Sequence, residues 1–255
     1  MRSNIAVHMA TAVVFLSIIG TSEAQDDINV VTYAEFILAD YSLEQDGTIL
    51  IPNVGVLDLK SAFRVNPAAL KVGSGITWRD WYASVYFQGT NDASDSFTVP
   101  FIGDITYTGN RKEWVGALGY QLQGNTSIFL GYRDSKIEGN GSPAASFTFE
   151  SDGFFLGASY WLPLIPQGGL TFTFAHAWLD GSAKQEVSGG PVNTGTGSGT
   201  GVKFGVGWRG DINEDWGYSI NVDSFTYKHD TRSDNVNVDI EESEITFGIG
   251  LSYAF

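Results

Sequence analysis

Histidine is the side chain best suited to general base chemistry near neutral pH, and beyond the first 24 residues this chain has only His176 and His229. His176 stands between Phe174 and Trp178 on the apolar parity of an alternating segment, the place of an interfacial residue. His229, flanked by Lys228 and Asp230, reads as a solvated loop residue. A serine-based acyl hydrolase needs a serine and a histidine together on one strand's inner parity, and no such pair occurs. Asp234, Asp239, Glu241 and Glu242 form the densest set of oxygen ligands, yet the twelve-residue calcium loop pattern is missing and a hydrophilic rim accounts for them. Residues 189–201 are rich in Gly, Thr and Ser with no lysine or helix behind them, which reads as a flexible loop and not a phosphate cradle. No catalytic residue, metal ligand or cofactor is therefore expected, and the chain is read as no enzyme.

The charges that share a parity with small residues are more informative. Lys71, Arg133, Lys203 and Arg209 fall on that parity with Asp223, as do Tyr82, Tyr86, Gln88, Gln121 and Asn221. If that parity faces a narrow interior, each charge must pair or touch water, because isolated burial costs several kcal/mol at least. These residues are the expected pore lining: Lys71, Tyr82, Tyr86, Arg133, Lys203, Arg209, Asn221 and Asp223.

The elements that would position them have period 2. In the last segment Ile245, Phe247, Ile249, Leu251, Tyr253 and Phe255 share one face, and Thr246, Gly248, Gly250, Ser252 and Ala254 the other. The split recurs at Val202, Phe204, Val206 and Trp208 against Lys203, Gly205, Gly207 and Arg209. It recurs again at Trp216, Tyr218, Ile220 and Val222 against Gly217, Ser219, Asn221 and Asp223. Further strands fit residues 70–77, 81–89, 114–122, 127–133, 153–162 and 170–179. Each is about 9 to 11 residues long, the length a tilted strand needs to cross a bilayer. Short connections (78–80, 123–126, 163–169, 210–215) alternate with long ones (90–113, 134–152, 180–201, 227–243). Trp78, Trp81, Trp161, Trp208 and Trp216 lie at the short-turn ends and Trp114 and Trp178 at the long-connection ends, an aromatic girdle.

The bulk composition fits export to a membrane. Arg2, the apolar run from Met9 to Ile19, and the small residues Ser22 and Ala24 read as a signal peptide over residues 1–24. No later apolar run is long enough for a spanning helix, so a membrane would be crossed by strands. There is no cysteine, hence no disulfide and no thiolate metal site. A formal net charge of −15 leaves no basic stripe for nucleic acid.

The terminal strand, with Phe247, Ile249, Leu251, Tyr253 and Phe255 in alternation, resembles that of bacterial outer-membrane β-barrels, in which it is read by the barrel-assembly machinery. The turns Trp78-Arg79-Asp80-Trp81 and Asn213-Glu214-Asp215-Trp216 resemble that family's periplasmic turns. The resemblance covers about residues 67–255. It implies an all-β, antiparallel up-and-down transmembrane barrel in the outer membrane, in contact with its lipids, similar to small barrels of the outer-membrane protein A and X type or to narrow porins. Short periplasmic turns and long extracellular loops go with it. Ten strands are favoured over eight or twelve, because nine are visible and the count should be even. Residues 25–66 must supply the missing strand, through 30–38 or 48–64, with the remainder left as a plug or a periplasmic piece.

Outer-membrane aspartyl proteases set paired acids and an Asp-His couple above a ten-stranded barrel. Asp92, Asp95, His229 and Asp230 could meet in that way, but Tyr227 stands where the family has an aspartate. The leading expectation is a porin-like barrel passing ions or small solutes. The alternative is a non-conducting barrel that presents its loops to an extracellular ligand, and a protease or lipid-modifying enzyme is a minor one.

Overall fold

The computed structural model describes residues 28–51, 55–99, 103–123, 125–142, 145–187, 193–233 and 236–255, so the expected signal peptide lies outside the described residues. The described elements are twelve strands: β1 (Ile28–Ile51), β2 (Gly55–Val65), β3 (Ala68–Trp78), β4 (Trp81–Thr90), β5 (Ala93–Val99), β6 (Gly103–Gln121), β7 (Thr126–Ser142), β8 (Ala145–Ile165), β9 (Gly168–Val187), β10 (Asn193–Asp211), β11 (Trp216–Ser233) and β12 (Val236–Ala254). From β6 to β12 each pairs antiparallel with the next. β12 then returns to β1 in unbroken register from Val31 opposite Ala254 to Ile49 opposite Val236, which closes the sheet. The result is a ten-stranded antiparallel barrel with two extra strands, β2 and β5, in agreement with the expected fold and strand number.

The extra strands come from two interruptions. β1 pairs first with β3, from Ile28 opposite Trp78 to Leu38 opposite Ala68, and then with β2, from Tyr41 opposite Val65 to Ile51 opposite Gly55. Asn66 and Pro67 separate the two because proline has no N–H to give the ladder and restricts the residue before it. The Pro67 carbonyl still accepts the Ala39 N–H at 3.0 Å. On the neighbouring strand Asn91 and Asp92 separate β4 from β5, and the Asn91 side chain accepts the Ala68 N–H at 2.8 Å. Above these breaks β2 is laddered to β1 and β5 to β6, with no ladder between β2 and β5 among the described residues. Among the described residues one hydrogen bond stitches across, from the Arg64 N–H to Asp95 Oδ2 at 2.8 Å. Residues 28–51 and 55–65 are thus wall, which corrects the expectation of a plug or periplasmic piece in that segment.

Outside, exposed apolar side chains form a belt: Phe36 and Leu38 on β1, Leu118 on β6, Leu130 on β7, Leu156 on β8, Phe174 on β9 and the Phe247, Ile249, Leu251 run on β12. Trp78, Trp81 and Trp216 are exposed at its short-turn edge, Trp114 and Trp178 at the other. Trp208 gives its indole N–H to Tyr218 at 3.0 Å. Trp161 does not share the outer face: it pairs with Thr171 on the inward parity. Just above the belt Asp134, Asp152 and Asp180 stand opposite one another across β7, β8 and β9. The short turns are set locally. Arg79 and Asn125 take left-handed backbone with φ of 56° and 64°, and Asn213 Oδ1 accepts the N–H groups of Asp215 and Trp216.

Most of the residues expected in long connections are paired strand. β9 has 20 residues, and at about 3.4 Å each it runs roughly 65 Å, more than twice the height of an apolar band of about 25 Å. Above the belt the outward positions turn polar, as at Asp239 and Glu241 on β12, while Val238 and Ile240 remain buried inside. A strand with a wet outer face and charges among its inner residues loses the apolar alternation by which it was sought.

Candidate functional site

The lumen is the candidate site, and its contents are stacked in layers. Nearest the short turns Tyr82, Ser127 and Ser159 form a chain of hydroxyls, with oxygen separations of 3.3 and 2.7 Å. Glycines make the room: a Cβ on Gly119 would come within 2.1 to 2.5 Å of three Tyr82 ring and hydroxyl atoms. Next come the pairs Lys71 with Glu35 at 2.5 Å and Lys203 with Asp223 at 3.2 Å, while Asn221 donates to Glu35 at 3.1 Å. Arg209 lies in the field of Tyr33, Glu35, Asp223 and Tyr82. The Lys203 side chain keeps 28 % exposure, so this layer still meets water.

The outer layer, at and above the upper belt edge, is drier and more densely charged. Glu113 Oε2 accepts from Arg111 at 2.5 Å and from Arg133 at 2.8 Å, and its Oε1 accepts from the Tyr86 hydroxyl at 3.0 Å. Arg133 also reaches Glu242 Oε1 at 3.4 Å and lies over the Tyr227 ring, 4.3 Å from its centroid. Arg111 bonds Glu244, approaches Glu242 at 3.5 Å and donates to Ser135 at 3.3 Å. All five charged side chains are at most 7 % exposed. Burial alone would raise the Glu113 carboxyl, but Arg133 and Arg111 hold it well below the usual carboxylate range. At Glu244 burial prevails over Arg111, and its carboxyl is pushed up.

Above the charges the lumen is apolar. Tyr41 and Leu43 of β1, Val65 of β2, Ile137 of β7, Phe149 of β8, and Val238 and Ile240 of β12 form one buried cluster. His229 is seated at its edge, 1 % exposed, with its ring 5.1 Å from that of Phe149. The expectation of a solvated loop histidine is therefore corrected. Burial pushes its imidazole below the ordinary value, with Glu242 pulling the other way. The ring fits because β9 and β10 offer glycine there: Cβ atoms on Gly181 and Gly199 would lie 2.9 and 2.3 Å from His229 Nδ1. From Asn193 on, the stretch expected as a flexible glycine-rich loop is β10, whose inner glycines let large β11 side chains lie flat.

The residues expected to line a pore thus share the lumen; Lys203 and Asp223 pair with each other, whereas Lys71, Tyr82, Tyr86, Arg133 and Asn221 bond to residues outside that set. Sequence reasoning left Glu35, Tyr41, Arg111, Glu113 and Glu244 out of the lumen and set Glu242 on a wet rim. Counting by twos past Trp114 and Ile245, through the apparent loops, would have put the last four on the inner parity. His176 stays on the outer face, with its ring 4.7 Å from Trp178. The four acids weighed as calcium ligands are divided: Asp239 pairs with Arg232 and Glu241 with Lys228 on the outside, Glu242 faces inward, and Asp234 lies outside the described residues. The protease-like constellation is also divided. Asp92 accepts from Asn110 and Asp95 from Arg64, whereas His229 sits among β8, β9 and β10. The terminal Phe255 is 75 % exposed, and its N–H donates to the Val30 carbonyl at 3.0 Å.

No protein-family model matches the chain, and no curated protein matches it. Solved structures do. The outer membrane protease OmpT from Escherichia coli superposes with a TM-score of 0.66 at 11 % identity, over 92 % of this chain and 99 % of that one. The translocator domain of the autotransporter NalP from Neisseria meningitidis matches at a TM-score of 0.39 and 10 % identity, over 86 % and 88 % of the two chains. The attachment invasion locus protein Ail of Yersinia pestis matches at 0.33 and 12 %, over 89 % and 99 %. The fold is that of bacterial outer-membrane β-barrels. The OmpT match overturns the expectation that the chain is no enzyme, since this is a fold on which a protease is built. At 11 % identity it speaks for the fold alone.

Proposed function

We propose that the chain is a sealed barrel of the outer membrane whose extracellular half engages a cationic ligand or substrate, and not a conduit for solutes. The sealed lumen carries this reading: the Arg111, Glu113, Arg133, Glu242, Glu244 layer lies under the apolar cluster around Phe149. An ion would have to part buried pairs and then cross a dry layer, each costing several kcal/mol. The partner's charge follows from the surface. In the lumen layers Lys71, Arg111, Arg133, Lys203 and Arg209 offset Glu35, Glu113, Asp223, Glu242 and Glu244, so the net −15 resides elsewhere.

Planar-bilayer recordings test the first half. Folded, inserted protein should leave the membrane silent, and reproducible single-channel steps would restore the porin-like reading. For the second half, a labelled oligolysine peptide should bind the protein in neutral micelles and be released by salt within the range where surface charges are screened. Analysis of the peptide afterwards separates ligand, recovered intact, from substrate, recovered cleaved. Binding that ignores salt would refute the cationic-partner proposal.

A further inference from the structure

The outer charge layer does not balance. Two guanidinium groups, Arg111 and Arg133, face three carboxyl groups, Glu113, Glu242 and Glu244, in a space from which solvent is almost excluded. Glu113 is fully engaged: both cations and the Tyr86 hydroxyl converge on it. Arg111 Nη1 lies between Glu244, which it bonds, and Glu242 Oε1, 3.5 Å away; the same Oε1 accepts from Arg133 at 3.4 Å, and Glu242 Oε2 is buried with no hydrogen-bond partner. The groups around this pair add no cation. Tyr41 comes from β1 and Tyr227 from β11; β8 contributes Phe149 and Ser151, and β9 and β10 contribute glycine. His229, above Glu242, is a buried imidazole whose two nitrogens have no partner. The nearest excess of positive charge is the Lys71, Lys203, Arg209 layer, four residues down β11 from Tyr227 to Asp223, about 13 Å. Lys203 there is open to water, which screens it.

A buried surplus negative charge is costly, and a carboxyl group removes the cost by taking up a proton. We propose that Glu242 and Glu244 together form a proton-binding site inside the lumen, holding one proton between them at neutral pH. Two buried carboxyl groups that share a cation take up and release such a proton as a unit. The rise at Glu244 from burial agrees with this.

Linkage fixes the sign. A folded state that binds a proton the unfolded chain has released loses stability as pH rises through the folded value. The variant Glu244→Gln keeps the shape of a neutral carboxyl group and removes the titration. It should match the wild type near pH 5 in unfolding midpoint and exceed it increasingly toward pH 9, a gap that cancels every other titrating group. Glu113→Gln should fall below the wild type across the whole range. If Glu244→Gln and Glu242→Gln both lose as much as Glu113→Gln at pH 7, each carboxylate is ionised and the proposal fails. Infrared spectra of the wild type supply a readout that needs no variant to fold. A protonated-carboxyl carbonyl band should persist at pH 7 and vanish in Glu244→Gln or Glu242→Gln. A wild type without that band overturns the site, as does a midpoint that tracks sodium concentration at fixed ionic strength, the mark of a bound metal cation instead.

Discussion

Single residues in this lumen act through the space that glycine leaves them. Tyr82 occupies the volume that a side chain on Gly119 would need, and the three nearest atoms to that missing Cβ all belong to it. Gly119→Val should therefore destabilise the barrel by about 1 to 3 kcal/mol, the usual cost of overpacking. In the background of Tyr82→Ala the same change should cost much less. A double-mutant cycle on unfolding in micelles checks this, and additive losses would show that the two do not share the space. The inward parity of Lys71, Lys203, Arg209 and Asp223 was legible in the sequence, because apolar partners alternated with them. The partner of Lys71 was not: Glu35 faces it across the β1–β3 register, and residues 30–38 were foreseen only as one of two candidates for the missing strand, with no register. Arg111 and Glu242 were hidden for a different reason. Their outward neighbours Lys112 and Glu241 are as polar as they are, and hydropathy cannot tell a wet outer face from a charged inner one.

At the scale of elements, closure rests on β1 meeting β12. The short turns were legible because Asn213 and the tryptophan positions announce them. That both interruptions sit at one level of the wall, Asn66-Pro67 beside Asn91-Asp92, needed the register, since proline and asparagine mark a loop as readily as a break in a strand. The register makes closure testable. Phe36 and Ile249 are directly opposite on the outer face, and the chain has no cysteine to compete. Phe36→Cys with Ile249→Cys should oxidise to a disulfide that joins the first strand to the last. On a gel the heated, unreduced protein should then run as a closed loop, distinct from the reduced form. Efficient cross-linking of Phe36→Cys to Phe247→Cys instead would mean that the strands are paired two residues out of step, and with them the stagger of the whole barrel.

The molecule as a whole stands tall above its belt, with outward positions there polar, as at Asp239 and Glu241. Lys228 lies outward on β11, 69 % exposed and ion-paired to Glu241, whereas Phe247 lies outward within the belt on the neighbouring strand. On intact cells, Lys228→Cys should react with a membrane-impermeant maleimide and Phe247→Cys should not. Equal protection of both positions would place the extension on the other side of the membrane.

The unladdered line between β2 and β5 has a mechanical consequence. Within the belt every strand is held on both edges, so the wall is a continuous hoop and can widen only by breaking main-chain bonds. Above it the hoop is cut, and the upper wall is a split collar hinged at Asn66-Pro67 and Asn91-Asp92. Springing that collar sacrifices the Arg64–Asp95 stitch and side-chain contacts but no ladder. The rim can therefore widen without loss of a main-chain ladder while the laddered wall within the belt keeps its diameter.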